Sequence, residues 1–292
     1  MIRNRGVGSR IFDGANYLSL FLVAVITFIP FYYVIVASLS PIKQVLTESI
    51  ILWPEKFTLT SYHMILTTPS FVRALLFTLF ITVVGTAINM LFTSTLGYSL
   101  SKKRFRARRA ILMLIVFSMM FSGGLIPTYL VVKQLGMINS LWALMLPGAI
   151  SAFNLIVLKN FFASIPQALE DSARIDGCSN FGIFMRIALP LSLPALASFT
   201  LFYAVGNWNQ FFAAIMYMNN SRYWTLQVVL RQLVIIGDST GYGQVIDDAN
   251  KTAFPETLKY AAIVVATLPI LLVYPFLQKY FVKGVLMGSV KE

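Results

Sequence analysis

The chain has 292 residues, of which 58% are hydrophobic and only 12% are charged, whereas soluble domains carry about 25% charged residues. Its mean hydropathy is +0.76, and long apolar runs alternate with short polar segments, so a single soluble globule is excluded. One cysteine, Cys178, and one histidine, His63, leave no pair for a disulfide within these residues and no His/Cys set for zinc.

The apolar runs predict an all-α, polytopic membrane protein with about six transmembrane helices, because about 20 apolar residues cross the hydrocarbon core of a bilayer. The first run is too long for the apolar core of a signal peptide, and no small-residue cleavage site follows it. It is therefore expected to remain as a span after a short N-terminal segment, 1–16. The predicted spans are 17–39, 74–100, 110–132, 139–158, 191–217 and 259–282, followed by a tail, 283–292.

Basic residues outnumber acidic ones by 23 to 11, a net charge of +12, and they lie beside the predicted spans. The run KKRFRARR at 102–109 is the densest cluster, and the positive-inside rule places it in the cytoplasm. Both termini are then expected in the cytoplasm as well. Topology explains the charge, so no nucleic-acid partner is expected, and the bilayer itself is the predicted partner of the basic run.

Two predicted outer loops, 40–73 and 218–258, are long enough to fold over the outer mouth of the protein. The second loop has two interpretations. Its rings and carboxylates suit contact with a partner protein or a ligand at the outer mouth, and its apolar residues suit a cap that packs on the helices. The first interpretation rests on Tyr223, Trp224, Tyr242, Asp247 and Asp248, and the second on Leu226, Val228, Val229, Leu230, Leu233 and Ile235.

The inner loop 159–190 contains the residue pattern of two short helices. Ser164 and Gln167 have the spacing of a capping box, with Pro166 in the first turn, and this predicts a helix that begins at Ser164. Gly177 predicts a left-handed stop. Ser179 predicts the cap of a second helix that runs to Pro190, where the chain re-enters the membrane.

The first of these helices is acidic, with Glu170, Asp171 and Asp176, and Glu170 can pair with Arg174 one turn later. A helix that lies on the membrane surface is usually rich in Lys and Arg. The acidic character therefore favours a surface that docks another protein over one that lies on lipid.

The stretch EDSARIDGCSNFGIFMRIALPLSLP at 170–194 resembles the cytoplasmic motif of ABC importer permeases, an EAA triplet followed by a glycine and then by I-x-L-P. Asp and Ser replace the first two residues of the triplet. GLIPTYLVVKQLGMINSLWALMLPGAIS at 124–151, NWNQFFAAI at 207–215 and the tail resemble the carbohydrate branch, in particular its oligosaccharide, aldouronate and lipo-oligosaccharide permeases. The motif positions are Asp171, Ser172, Ala173, Gly177, Ile187, Leu189 and Pro190.

The resemblance implies a type I ABC importer permease fold in a bacterial cytoplasmic membrane, with a coupling helix that docks in a cleft of an ATPase. Leu169 and Ala173 are expected to pack into that cleft, and Asp171 to contact its polar rim. The implied partners are a second permease, two ATPases, an extracytoplasmic binding protein and the sugar. No phosphate-binding loop occurs in the sequence, so the chain is expected to bind no cofactor and to catalyse nothing, with ATP and Mg bound by the ATPase. The tail is expected to extend along the ATPase interface through Gly284 and Gly288, or else to fray as a disordered terminus.

Polar side chains interrupt the fifth predicted span, and they are the candidates for contact with substrate. Buried amides in a membrane need a partner helix or an aqueous cavity, so interhelical hydrogen bonding is the alternative. The candidates are Asn207, Trp208, Asn209 and Gln210, with Asn89 in the second span.

Other classes of membrane protein remain open. A secondary transporter usually carries acidic or basic residues inside its spans, and the predicted spans contain no internal acid. A membrane enzyme needs a metal or nucleophile set that one histidine and one cysteine do not supply. An ABC permease for a solute other than a sugar is the remaining alternative.

Overall fold

The computed structural model describes residues 7–236 and 256–289, and within them helices and turns occur without a strand. This confirms the all-α prediction. Three helices are long: α1 (Val7–Leu39), α4 (Pro69–Ser101) and α15 (Glu256–Ser289). The shorter helices are α2 (Ile42–Thr47), α3 (Thr60–Thr67), α5 (Arg108–Met120), α6 (Leu125–Gln134), α7 (Leu141–Met145), α8 (Ala152–Ala163), α9 (Gln167–Ile175), α10 (Asn180–Ile183), α11 (Leu189–Leu191), α12 (Leu193–Trp208), α13 (Phe212–Tyr217) and α14 (Leu226–Arg231).

The long helices contain the three continuous segments of the described chain that are long and apolar enough to cross a membrane: Ile11–Leu39, Pro69–Ser101 and Glu256–Val273. Two sharply bent helix pairs, α8 with α9 and the run α10–α11 with α12, bring the number to five if each is one span. A polytopic membrane protein is therefore confirmed. At about 1.5 Å per residue, α1 and α4 are each about 50 Å long, so they extend beyond about 30 Å of hydrocarbon.

Three of the six predicted spans are broken helices. The predicted span 110–132 is α5 followed by α6, with Gly124 between them at φ +83°. The span 139–158 is α7 followed by α8, and 191–217 is α12 followed by α13. Averaged hydropathy does not detect such breaks, because they are only three to six residues long and the apolar helices on either side dominate the average.

The chain divides into two compact units, one of Met1–Pro69 with Gln232–Thr267 and the other of Ser70–Arg231 with Leu268–Glu292. In the first unit, the buried Gln44 organises the predicted outer loop after α1. Its amide nitrogen donates to the Trp53 carbonyl at 3.1 Å, and its amide oxygen accepts from the Glu55 backbone at 3.0 Å. This part of the loop is therefore folded by hydrogen bonds of its own.

The second unit contains two apolar clusters. The inner loop 159–190, called the coupling segment below, lies in this unit, as do the candidate amide residues Asn89, Asn207, Asn209 and Gln210. One cluster joins α4, α7 and α13 around Ile81, Leu144 and Ala214. The other joins α4, α8 and α12 around Tyr98, Phe162 and Phe199. These clusters fix α4 against the helices on either side of the coupling segment.

The structure bears on the two predicted ends of the chain. Helix α1 begins at Val7, so part of the segment 1–16 is helical. Helix α15 continues to Ser289, so Gly284 and Gly288 lie in a helix and the predicted extended tail is wrong for 283–289. Residues 290–292 lie outside the described part of the chain.

Candidate functional site

Helix α9 begins later than predicted. Pro166 is its N-cap, and Ser164 instead follows the end of α8, where its hydroxyl donates to the Phe161 carbonyl at 2.8 Å. The reason is steric, since the residue before a proline, here Ile165, is disfavoured in the α conformation. The capping-box prediction was wrong, and a bend of 67° separates α8 from α9.

The end of α9 is as predicted. Gly177 has φ +81°, a left-handed conformation that favours glycine. The Cys178 amide donates to the Ala173 carbonyl at 2.9 Å, and the Gly177 amide to the Arg174 carbonyl at 3.0 Å, which is the bonding of a Schellman turn. Ser179 then caps α10 by accepting from the Gly182 amide at 3.1 Å, which confirms that prediction too.

The two faces of α9 differ in burial. Glu170 and Ala173 are buried within this chain, so the predicted packing of Ala173 into a partner's cleft does not agree with its position. Leu169 is 46% exposed and Ile175 is 87% exposed. Ile175 is not among the residues predicted from the sequence. Of the polar candidates, Asp171, Ser172 and Asp176 are all exposed.

Glu170 is the centre of an ion-pair network. Its carboxylate contacts the Lys102 ammonium, and the Arg174 guanidinium lies 3.9 Å away. Arg174 bonds more closely to Asp171, at 3.1 Å. The pair with Arg174 was predicted from helix spacing, whereas the partner Lys102 is distant in sequence and was not.

The second half of the coupling segment is a helix that includes a π-helical turn. Residues Phe184–Ala188 form a π-helical turn between α10 and α11, and the Leu189 amide bonds to the Phe184 carbonyl five residues back. Ile187 and Leu189 are half-buried, and Pro190 is exposed. The run α10–α11 meets α12 at 82°, so the predicted single helix to Pro190 is followed by a sharp change of direction.

Asn207 and Asn89 are buried, and they bond to each other across α12 and α4. The Asn207 amide donates to the Asn89 amide oxygen at 2.9 Å and to the Thr86 hydroxyl at 3.1 Å. Asn89 donates in turn to the Gly148 and Ala149 carbonyls, both at 3.0 Å. These carbonyls are freed by the break between α7 and α8, so Asn89 satisfies backbone acceptors that the helices leave open, and Asn207 bonds to Asn89.

Gln210 extends this network. Its amide nitrogen donates to the Leu144 carbonyl at 2.8 Å and to Asn207 at 3.3 Å. Its buried oxygen has no hydrogen-bond partner in the described part of the chain. The arrangement favours interhelical bonding, the alternative given above, as the role of Asn89, Asn207 and Gln210. Trp208 is 3% exposed, so its ring is buried as well.

Asn209 differs from these residues because its side chain is exposed. Its amide oxygen accepts from Gln227 at 3.1 Å. Gln227 lies on α14, in a segment expected to be an outer loop, and it is not among the residues predicted from the sequence. The exposed Asn209 and the half-buried Gln227 form a pair of amides beside the buried network.

The described part of the second outer loop packs on the helices. The Thr225 hydroxyl donates to the Gln210 carbonyl at 2.7 Å, and the Leu226 amide donates to the Thr78 hydroxyl at 2.7 Å. Leu226 and Val228 are buried. These contacts favour the self-packed cap for 218–231, while Tyr242, Asp247 and Asp248 lie outside the described residues.

Proteins of known sequence resemble this chain over nearly its whole length. The LplC protein of Bacillus subtilis (strain 168) is 52% identical over 284 residues, which cover 97% of this chain and 95% of that protein. The polygalacturonan/rhamnogalacturonan transport system permease protein YtcP of the same organism is 50% identical over 284 residues, covering 97% of this chain and 99% of that protein.

A solved structure has the same fold. It is a chain of a bacterial ABC transporter involved in the import of the acidic polysaccharide alginate, and it matches with a TM-score of 0.87 and 31% sequence identity. The match covers 94% of this chain and 98% of that chain. Residues 18–287 match the family described as binding-protein-dependent transport system inner membrane component. The chain therefore belongs to this family of inner-membrane permeases.

Proposed function

We propose that this chain is the permease subunit of an ATP-driven importer that carries an oligosaccharide across the cytoplasmic membrane of a bacterium. Membership of the permease family supports the transport role. A relative that is 50% identical is named for the transport of polygalacturonan and rhamnogalacturonan. The similar solved structure is that of a transporter involved in the import of alginate. These names support a carbohydrate as the substrate.

The proposed complex contains a second permease, two ATPases that bind ATP and Mg, and an extracytoplasmic binding protein that delivers the sugar. Both termini and the basic run 102–109 lie in the cytoplasm in this arrangement, in agreement with the positive-inside rule. The chain itself makes the path through the membrane and catalyses nothing.

The observation that carries the proposal is the exposed surface of α9. Leu169 and Ile175 present apolar side chains beside Asp171 and Asp176, and a Schellman turn at Gly177 fixes the end of the helix. Exposed apolar side chains rimmed by polar groups are typical of protein interaction sites. We assign this surface to contact with an ATPase subunit.

The amide residues are proposed to have two roles. Asn89, Asn207 and Gln210 hold α4, α12 and the backbone around Leu144–Ala149 together. Asn209, with Gln227, offers accessible donors and acceptors to the hydroxyl groups of a sugar. Trp208 is buried next to them and is proposed to support this part of the wall rather than to stack on the sugar.

The test is purification of the chain from a bacterial membrane in mild detergent, followed by identification of the subunits that accompany it and by uptake assays. We expect a second permease and an ATPase to copurify, and cells lacking the chain to lose uptake of an oligogalacturonide mixture. Isolation of the chain without an ATPase, combined with uptake driven by an ion gradient, would contradict the proposal. Loss of uptake of a solute other than a sugar would contradict only the substrate class.

A further inference from the structure

The ion pair between Lys102 and Glu170 joins two elements that are distant in sequence. Lys102 follows the last residue of α4, and Glu170 lies in the first turn of α9. Glu170 is 4% exposed although it is charged, and Lys102 is its closest cationic partner. A charge buried to this extent is costly unless it stays paired, so the contact resists separation of the two elements.

Aromatic packing reinforces the same contact. The Lys102 ammonium lies 4.1 Å from the centre of the Tyr98 ring, a cation–π geometry. The Tyr98 ring in turn packs edge-on against Phe162 of α8, with ring centres 5.6 Å apart, and at a tilt of 38° against Phe184 of the π-helical turn, with ring centres 5.0 Å apart. The end of α4 is thus held to residues that precede and follow α9, as well as to α9 itself.

The neighbouring basic residues are placed differently. Lys103, Arg104, Arg106 and Arg109 are exposed, in agreement with their expected contact with anionic lipid headgroups. Among the residues of this run, all of which the structure describes, Lys102 alone forms an ion pair with the coupling segment, and Arg108 is half-buried. Its role is therefore separable from the topological role of the run.

We propose that Lys102 and Glu170 are positioning residues that make α9 and the end of α4 move as one body, so that a displacement of α9 is passed directly to α4. The proposal rests on the proposed function, in which an ATPase displaces α9. Helix α4 is continuous from Ser101 back to Asn89 and Thr86, which bond Asn207 of α12. The α4–α9 ion pair therefore connects the exposed surface of α9 to the amide network in the middle of the bundle.

The test measures the distance between α4 and α9 in the complete complex. Spin labels are placed at Ser99 and Gln167, which are both exposed, after Cys178→Ser removes the native thiol. Distances between the labels are measured by pulsed electron paramagnetic resonance spectroscopy, without nucleotide and in the complex trapped with ATP and vanadate. We expect one narrow distance distribution that is the same in both states.

Variants of the Lys102–Glu170 pair distinguish a role in positioning α9 from a role in folding. Lys102→Met with Glu170→Gln removes both charges and leaves no unpaired buried ion, so the chain is expected to fold and assemble while the distance distribution broadens. Transport per hydrolysed ATP, measured with an oligogalacturonide mixture, is expected to fall by about two- to thirtyfold, the range for residues that carry coupling. Lys102→Arg keeps the positive charge and should retain both the narrow distance distribution and the transport per hydrolysed ATP. The matched control Lys103→Met should leave both unchanged.

Two results would overturn the inference: a label distance in the unmodified pair that shifts when ATP is trapped, or a doubly neutral variant with an unchanged distribution. A purely structural role would lower the yield of complex without altering the distance or the transport per ATP, and that result counts against the proposal too. Absence of an ATPase from the purified complex would instead contradict the proposed function, and the distribution in the permease alone would still report whether the pair holds α9 to α4.

Discussion

Gly177 has a backbone conformation that other residues adopt only with strain. An added Cβ would meet no atom within 4 Å, so the constraint is the φ of +81° and not space. Gly136 offers a matched comparison, since it also has a positive φ, +68°, and open surroundings, but it lies outside the coupling segment. Alanine variants at the two glycines therefore distinguish the effect of backbone strain on stability from an effect on ATPase docking.

We expect Gly177→Ala to lower the stability of the turn by about 1 kcal/mol, the strain of a left-handed alanine. ATPase copurification and ATP-driven uptake should fall, and Gly177→Pro should abolish both while membrane insertion stays normal, because proline cannot adopt a positive φ. Gly136→Ala should lower the thermal midpoint similarly and leave ATPase copurification intact. Equal loss of the ATPase from the two alanine variants would argue against a docking role for this turn.

The buried and exposed asparagines of α12 are expected to differ in what they contribute. Asn207→Ala removes bonds to Asn89 and Thr86, and interhelical bonds in membranes average about 0.6 kcal/mol with a maximum of about 1.7. The thermal midpoint of the purified protein should therefore fall. Asn209→Ala should leave that midpoint unchanged and reduce oligosaccharide uptake, since Asn209 is exposed. A destabilised Asn209→Ala variant, or a fully stable Asn207→Ala variant, would reverse this assignment.

At the scale of elements, local rules predicted the end of α9 and the cap of α10, because a glycine stop and a serine cap depend on residues within one turn. The same rules misplaced the start of α9, where the steric effect of Pro166 on Ile165 outweighed the capping-box spacing. The breaks between α5 and α6 and between α12 and α13 were not predicted, because hydropathy averaged over a window does not respond to a short irregular turn.

Contacts between elements could not be predicted from the sequence. Nothing near Lys102 indicates that it reaches Glu170, and nothing near Asn207 indicates that it bonds to Asn89. The sequence could supply only the alternatives, namely contact with substrate or interhelical bonding, and the burial of Asn89 and Asn207 favours the second. Ile175 was missed for a related reason, since the face of α9 that is exposed depends on contacts with residues distant in sequence, such as that between Glu170 and Lys102.

The exposed face of α9 gives a prediction for this element. Ile175→Ser removes an apolar side chain that is 87% exposed, so the free energy of unfolding of the permease should change by less than about 0.5 kcal/mol. Copurification of the ATPase should nevertheless fall, because the contact loses apolar area. Gln167→Ala, an exposed change on the same helix, is the control. If Ile175→Ser retains the ATPase as well as this control does, the docking surface does not include Ile175.

At the scale of the whole molecule, the positions of the basic residues and of the helices together predict the orientation of the chain across the membrane. The basic run follows the end of α4, and Glu170 and Gly177 belong to the segment held against that end. The positive-inside rule therefore predicts that the run and the coupling segment lie together in the cytoplasm. The loop between α2 and α3 belongs to the predicted outer loop 40–73 and is expected outside.

The native thiol makes this orientation measurable. Cys178 follows the turn at Gly177 and is half-buried, so a membrane-impermeant maleimide should label it in inverted vesicles and not in intact cells. Lys56→Cys in a Cys178→Ser background should show the opposite pattern, because Lys56 is exposed in the predicted outer loop. Both positions use the same reagent, so each controls for the reactivity of the other. Labelling of Cys178 from outside intact cells would reverse the topology and would remove the cytoplasmic docking surface on which the proposed coupling depends.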